Sequence, residues 1–168
     1  MRFCGYVPVG RGRNRTIQER LDLNKGLADI LAFVKKGVAD SSFAVLFDPG
    51  CGPLPPDYDF HECIAGVETF YLKPNGDVFP CTALIFPQFR IGNLHERSLT
   101  EIWNDPAMTA MSEYPVEKIT GTCKSCDNLA RCHGACRGTT LAHTGDINGS
   151  LPTCLYQIEV DRQASIEE

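Results

Sequence analysis

Cysteine is the residue type through which this sequence offers most chemistry, and five of its nine cysteines fall within about thirty residues. Cys123 and Cys126 are spaced C-x-x-C, Cys132 and Cys136 are spaced C-x-x-x-C, and Cys154 closes the stretch. Spacings this short allow thiolates on one tight loop to converge on a metal centre. The pattern therefore predicts metal binding.

Disulfide bonds are the alternative use of clustered cysteines, and the sequence disfavours them. The chain opens without the charged, apolar and small-residue pattern of a secretory signal. Cysteine clusters in intracellular proteins, where thiols stay reduced, are typically metal-binding or catalytic. An odd total of nine cysteines would also leave one unpaired. We therefore expect a cytoplasmic protein without a disulfide framework.

Composition and charge exclude two classes of partner. The chain has 168 residues, a net charge of −5 and a pI near 5.4, so it lacks the basic footprint of a nucleic-acid-binding protein. No run of about twenty apolar residues occurs, and we expect no membrane span. A hydrophobic fraction of 43% with 11 prolines and 15 glycines indicates a globular, loop-rich fold.

The N-terminal third resembles one βαβ unit. Residues 2–7 form an apolar run, Asn24 is a good cap for an amphipathic helix that ends near Gly37, and residues 43–47 are typical of a strand buried on both faces. One such unit is not a stable sheet, so we expect it to complete a larger barrel or sheet. The proline-rich residues 48–62 are predicted to be a linker.

A β-hairpin is the strongest local prediction beyond the linker. Apolar residues 67–72 and 77–79 flank the turn sequence of residues 73–76, in which Pro and Asn-Gly favour a tight reversal. Cys63 precedes the first strand and Cys81 follows the second. The hairpin therefore brings these two thiols to the same end.

A short helix is predicted further along the chain. Ser98 with Glu101 three residues later matches the capping box, so the helix is expected to begin just after Ser98 and to include Trp103. The predicted fold class is α+β: remnant βα units of a partial barrel, followed by a small loop-rich domain with a β-hairpin and short helices.

The complete cysteine pattern resembles that of a known family. Its order is Cys63-x₁₂-Gly76-x₄-Cys81, a gap, Cys123-x₂-Cys126-x₅-Cys132-x₃-Cys136, a gap, and Cys154. With Pro80 before Cys81 and Gly92-Asn93-Leu94 before the Trp103 helix, this order is similar to the seven-cysteine pattern of SPASM domains. These are C-terminal auxiliary-cluster domains of certain radical S-adenosylmethionine enzymes. The resemblance covers roughly residues 48–158.

The resemblance implies two [4Fe–4S] clusters and a ligand set for each. The first auxiliary cluster would be held by Cys63, Cys81 and Cys136, and the second by Cys123, Cys126, Cys132 and Cys154. Cys51 is the candidate for the fourth ligand of the first cluster, and the alternative is an iron position left open. The clusters would transfer electrons and help to engage a peptide or protein substrate.

The resemblance also implies a missing catalytic part. The C-x₃-C-x₂-C loop that binds the catalytic cluster and S-adenosylmethionine is absent from the sequence, so the chain is not expected to be catalytic alone. Residues 1–47 would be the last βα units of the catalytic barrel, residues 63–158 the iron–sulfur domain and residues 159–168 a tail. The expected partner is a radical S-adenosylmethionine catalytic domain or chain, where that cofactor would bind.

Two other functions fit the same spacings. Zinc also takes four thiolates at short loop spacing, so a structural zinc module for protein interaction is one alternative. A stand-alone iron–sulfur electron carrier is the other. Under either iron–sulfur interpretation, the cations Lys124, Arg131 and Arg137 lie beside proposed ligands and are expected to offset their negative charge.

Overall fold

The computed structural model describes residues 2–3, 26, 29, 32, 46–47, 52 and 62–167. Strands β1 (Arg2–Phe3) and β2 (Leu46–Phe47) pair in parallel. Residues 26, 29 and 32 are helical. Parallel strands require a crossover connection, so this arrangement agrees with the predicted βαβ unit. The rest of the predicted partial barrel and most of the predicted linker lie outside the described residues.

A three-stranded antiparallel sheet is the central element of residues 62–167. Its order is β3 (Tyr71–Leu72), β4 (Asp77–Phe79) and β5 (Gly92–Asn93), with Leu72 opposite Val78 in the hairpin. The predicted hairpin is confirmed, although β3 keeps only the last 2 residues of the predicted first strand. The third strand was not predicted.

The hairpin turn needs glycine at its fourth position. The backbone N–H of Lys73 donates to the carbonyl of Asp77 at 2.8 Å, and that of Gly76 donates to the carbonyl of Lys73 at 2.9 Å. Gly76 has a φ of +87°, which a residue with a Cβ rarely adopts, and a Cβ there would lie 2.8 Å from Oδ1 of Asn93. The turn residues therefore fix how β3 meets β4.

Polar side chains hold β5 against the hairpin. The buried Asn93 amide donates to the carbonyl of Asn75 at 2.9 Å and to Oδ1 of Asp77 at 3.0 Å. Arg90 pairs with the same carboxylate at 2.5 Å. The bonds from Arg90, Asn93 and Asn75, in that order of effect, hold the pKa of Asp77 far below its usual range. This network fixes the sheet edge at the end opposite to Cys81.

Helix α1 (Leu99–Trp103) begins as the sequence predicts. The Ser98 hydroxyl accepts from the backbone N–H of Glu101 at 3.3 Å, and the Glu101 carboxylate accepts from the backbone N–H of Ser98 at 2.8 Å. The capping-box prediction is confirmed. Because α1 starts at a fixed point, Ile102 is placed in the core with Val78 and Met108, all with 0% exposure.

Short helices carry the rest of the chain. The α-helices are α2 (Leu129–Cys132), α3 (Arg137–Thr144) and α4 (Leu155–Glu167). The 3₁₀ turns are Thr82–Leu84, Pro87–Phe89, Val116–Lys118 and Gly121–Ser125. A mixed α and β fold is therefore present, as the sequence predicts. Helix α4 crosses the predicted domain limit at residue 158, and the domain limits themselves remain predictions. Within the part of the chain that the structure describes, no helix is long and apolar enough to cross a membrane.

Candidate metal centre

Seven cysteines lie in the described residues, and all are free thiols. Three of them form what we call the hairpin set: Cys63, Cys81 and Cys136. Burial, followed by the like charges of the neighbouring Cys136 and Cys63, raises the pKa of Cys81 to about 12. Burial, and then Cys136, also raises the pKa of Cys63. The three thiols therefore lie close enough to influence one another.

Helix α3 brings Cys136 to the hairpin. Cys136 is the N-cap of α3, and Gly138 in its first turn lies against Ala83 of the 3₁₀ turn that follows Cys81. A Cβ at Gly138 would come within 2.7 Å of the Ala83 Cβ and 2.9 Å of its carbonyl oxygen. This close approach of two elements places a thiol from residue 136 beside one from residue 81.

The other four cysteines form the C-terminal set: Cys123, Cys126, Cys132 and Cys154. Burial raises the pKa of Cys132, with Cys123 and Cys126 as like-charged neighbours. Burial also raises the pKa of Cys154 to about 11, with smaller effects from Cys123 and Cys132. The two sets contain the same cysteines as the two ligand groups that the family resemblance implies, except for Cys51, and their role as ligands remains a prediction.

Hydrogen bonds connect the segment that leads to Cys154 with the segment that leads to Cys123, both of the C-terminal set. The Ser150 hydroxyl accepts from the backbone N–H of Cys123 at 2.9 Å and donates to the carbonyl of Thr120 at 3.0 Å. The backbone N–H of Thr120 donates to the carbonyl of Asn148 at 2.8 Å. The segment leading to Cys154 is thereby held beside the segment leading to Cys123. Sequence reasoning missed Ser150, because its partner lies 27 residues away.

A left-handed turn separates Cys132 from Cys136. His133, Gly134 and Ala135 have φ values of 48°, 75° and 58°. Positive φ is uncommon outside glycine, so two non-glycine residues in this region are a local strain. The turn reverses the chain, and two cysteines only four positions apart therefore belong to different sets.

The surroundings of the thiols suit bound, negatively charged sulfur. Backbone N–H groups two or three residues further along the chain donate to the sulfur atoms of Cys63, Cys81, Cys132, Cys136 and Cys154. Burial nevertheless keeps the pKa of four of these thiols raised. A coordinating metal reverses that effect, because a thiol bound to a metal ion is deprotonated. The donor set therefore fits a thiolate-bound metal group.

Two buried polar atoms at the start of α3 also fit such a group. Arg137 Nε and Thr139 Oγ1 have no hydrogen-bond partner, although their residues are only 2% and 0% exposed. Buried polar groups are normally paired, so an unpaired donor beside thiols indicates an acceptor at that place. Both residues follow Cys136 closely. Sequence reasoning missed Thr139, and its position three residues after a helix-capping cysteine was the available signal.

The spacing of the cysteines from other possible ligands bears on the kind of metal group. Among the described residues, no three Cys, His, Asp or Glu side chains form a group that would hold one metal ion. The residues that line one cleft include Cys63 of the hairpin set and Cys132 of the C-terminal set.

Cys51 lies outside the described residues, and its assignment as fourth ligand of the hairpin set remains a prediction. Its neighbour Gly52 is described and is buried. A Cβ at Gly52 would lie 2.8 Å from the Sγ of Cys154. The chain beside Cys51 therefore contacts the C-terminal set, whereas the prediction places Cys51 in the hairpin set.

Comparison with known families decides between the metal types. Residues 63–127 match the family model for the SPASM iron–sulfur cluster-binding domain. This stretch of the chain is a SPASM domain. It contains the hairpin with Cys63 and Cys81, as well as Cys123 and Cys126 of the C-terminal set. The remaining cysteines of both sets lie beyond the matched residues.

Curated relatives match the chain over longer stretches. A PqqA peptide cyclase from Gluconobacter oxydans is 30% identical over 134 residues, which are 73% of this chain and 37% of the relative. A serine-type anaerobic sulfatase-maturating enzyme from Bacteroides thetaiotaomicron is 30% identical over 49% of this chain and 19% of its own length. The mycofactocin maturase MftC of Mycobacterium ulcerans is 27% identical over 55% and 25%, respectively. The matched part thus spans between about a fifth and just over a third of these relatives.

Proposed function

We propose that this chain binds two [4Fe–4S] clusters, one at the hairpin set and one at the C-terminal set, with Cys51 as a further ligand of the first. The observation that carries the proposal is the division of seven free cysteines into two electrostatically coupled sets. Cysteine-ligated clusters of this kind supply one-electron transfer over a range of roughly −700 to +450 mV. The seven thiolates hold these groups, and the backbone N–H groups stabilise the negative sulfur.

The proposed role is that of an auxiliary domain in the radical modification of a peptide or protein. The printed names of the relatives, a PqqA peptide cyclase and a sulfatase-maturating enzyme, support a substrate of this class. The chain lacks a C-x₃-C-x₂-C loop, so it would act with a radical S-adenosylmethionine catalytic domain or chain. In the reducing cytoplasm its thiols would stay reduced and able to bind the clusters.

The test is a determination of iron, zinc and acid-labile sulfide on the full chain purified without oxygen. Two [4Fe–4S] clusters predict about eight irons and eight sulfides per chain, with a broad absorbance near 400 nm that bleaches on reduction. About two zincs without sulfide or colour would instead identify the structural zinc module and overturn the proposal. Full cluster content with no effect on a catalytic partner would favour the stand-alone electron carrier.

A further inference from the structure

Arg137 is a buried guanidinium held by backbone carbonyls. Its Nη1 donates to the carbonyl of Gly149 at 2.8 Å and to that of Ile147 at 3.1 Å, and its Nη2 donates to the carbonyl of Gly134. The residue is 2% exposed, and its Nε has no partner. Three contacts fix the side chain between the left-handed turn and the segment that leads to Cys154.

Among the residues that the structure describes, no carboxylate forms an ion pair with Arg137, whereas Arg90 and Arg97 each have such a partner. Arg137 follows Cys136 directly, and its bond to the Gly134 carbonyl holds it two residues from Cys132. Its bond to the Gly149 carbonyl holds it beside Ser150, whose hydroxyl accepts from the backbone N–H of Cys123. The thiols of Cys123, Cys136 and Cys132 and the phenol of Tyr114 accordingly act on its charge. A buried charge that has hydrogen-bond partners but no opposite charge nearby is still unfavourable. The site is therefore built for an anion supplied by the cysteines.

The thiols around Arg137 belong to both sets. Cys136 is in the hairpin set, whereas Cys123 and Cys132 are in the C-terminal set. We propose that Arg137 is a positioning residue that acts as the shared counter-cation of both sets and raises the reduction potential at each. The inference rests on the proposed function, since it requires a redox group at each set. A fixed positive charge favours the reduced state, because reduction adds negative charge.

Burial distinguishes Arg137 from the other two cations beside the proposed ligands. Lys124 and Arg131 are both exposed. Water and salt screen exposed charges, whereas a buried charge acts on its neighbours with much less screening. Of these three cations, Arg137 should therefore act most strongly on both sets.

The experiment compares reduction potentials in the full chain carrying both clusters. Arg137→Gln should lower both midpoint potentials, so that the ratio of reduced to oxidised centre at a fixed potential falls about tenfold, which is 59 mV for a one-electron couple. Lys124→Gln is the matched control and should change either ratio by less than about threefold, because its charge is screened. Signals are assigned with Cys81→Ala and Cys126→Ala, each of which removes one ligand of one set.

A second variant separates the charge of Arg137 from its carbonyl contacts. Arg137→Lys keeps the charge but cannot make the forked contacts. If Arg137→Gln fails to assemble clusters, Arg137→Lys decides: assembly with both potentials near those of the unmodified chain supports the shared charge, and failure or lowered potentials overturn it. The proposal is also overturned if Arg137→Gln lowers the potential at one centre only or at neither. An equal fall of both potentials in Lys124→Gln overturns it as well. An unmodified chain without iron and sulfide would overturn the proposed function instead.

Discussion

Thr139 is buried with 0% exposure, and its hydroxyl has no partner, although its backbone N–H donates to the Cys136 sulfur at 3.4 Å. Thr139→Val removes the hydroxyl and keeps that N–H. Hydrogen bonds to sulfur raise the reduction potential of a cluster. If the hydroxyl donates to sulfur of the bound group, the variant should lower the potential at the hairpin set, so that the ratio of reduced to oxidised centre falls several-fold. The potential at the C-terminal set should not change. A redox titration with assigned signals measures both.

Thr140 offers the matched control for Thr139. It is equally buried and lies next to Thr139 on α3, but its hydroxyl already donates to the carbonyl of Cys136 at 3.2 Å. Thr140→Val should cost about 1 kcal/mol of stability through the lost bond and shift neither potential. Equal potentials in the Thr139 and Thr140 variants would show that the Thr139 hydroxyl does not reach the bound group.

The role of single residues was only partly readable from sequence. Short spacings and the family resemblance predicted a ligand role for the cysteines, and that role remains a prediction. The same reasoning treated Lys124, Arg131 and Arg137 alike, because all three lie beside proposed ligands. Their burial depends on contacts with distant residues such as Ile147 and Gly149, and nothing in the local sequence shows it.

At the scale of elements, the contact between α3 and the Thr82–Leu84 turn is the feature that assembles the hairpin set. Gly138→Ala tests it. Alanine favours helix more than glycine does, but its Cβ would lie 2.7 Å from the Ala83 Cβ and 2.9 Å from the Ala83 carbonyl oxygen. Neither atom is the end of a flexible side chain, so α3 must move at a cost of about 1–3 kcal/mol. We expect the variant to lose the cluster at the hairpin set, which an iron determination would show as a loss of about half the iron.

Gly145 is the control for Gly138, since it lies at the other end of the same helix. It has a φ of +78°, but a Cβ there would meet nothing within 4 Å. Gly145→Ala should therefore cost about 1–3 kcal/mol through backbone strain alone and retain all the iron. The idea fails if both variants keep full iron, or if both lose the same cluster.

Elements set by local chemistry were predictable, and elements set by distant contacts were not. The hairpin and the capping box at Ser98 each depend on a few adjacent residues, and both predictions are confirmed. Strand β5 was missed because its two residues, Gly92 and Asn93, carry little strand propensity and pair through the Asp77 network. The left-handed turn at His133 and Ala135 was missed because positive φ is rare for alanine, and one histidine, although enriched there, does not mark such a turn.

At the scale of the whole molecule, the two sets are interleaved along the chain, since Cys136 returns to the hairpin after three members of the C-terminal set. The chain thus passes from the C-terminal set to the hairpin set between Cys132 and Cys136, and Arg137 and Gly138 follow directly after Cys136. Interleaving makes each set depend on the fold of both halves. It also raises the question of whether one set can be filled without the other, which single cysteine variants can answer.

Cys81→Ala and Cys126→Ala each remove one thiol from one set. We expect each variant to retain about half the iron and sulfide of the unmodified chain, because the ligands of the other set remain in place. The retained signals should differ between the two variants and together account for the spectrum of the unmodified chain. Iron and sulfide analysis with electron paramagnetic resonance of the reduced protein measures both quantities.

The division into sets makes a sharper demand on the pair Cys132 and Cys136. These residues are four positions apart, yet Cys132→Ala should resemble Cys126→Ala, and Cys136→Ala should resemble Cys81→Ala. If neighbouring cysteines bound the same cluster, the Cys132 and Cys136 variants would leave the same residual spectrum. Since the left-handed turn separates them, we expect each variant to leave the spectrum of a different cluster. Identical residual spectra from Cys132→Ala and Cys136→Ala would refute the proposed ligand sets even if the total iron content were correct. Opposite spectra would show that the turn at residues 133–135 directs each thiol to its own cluster.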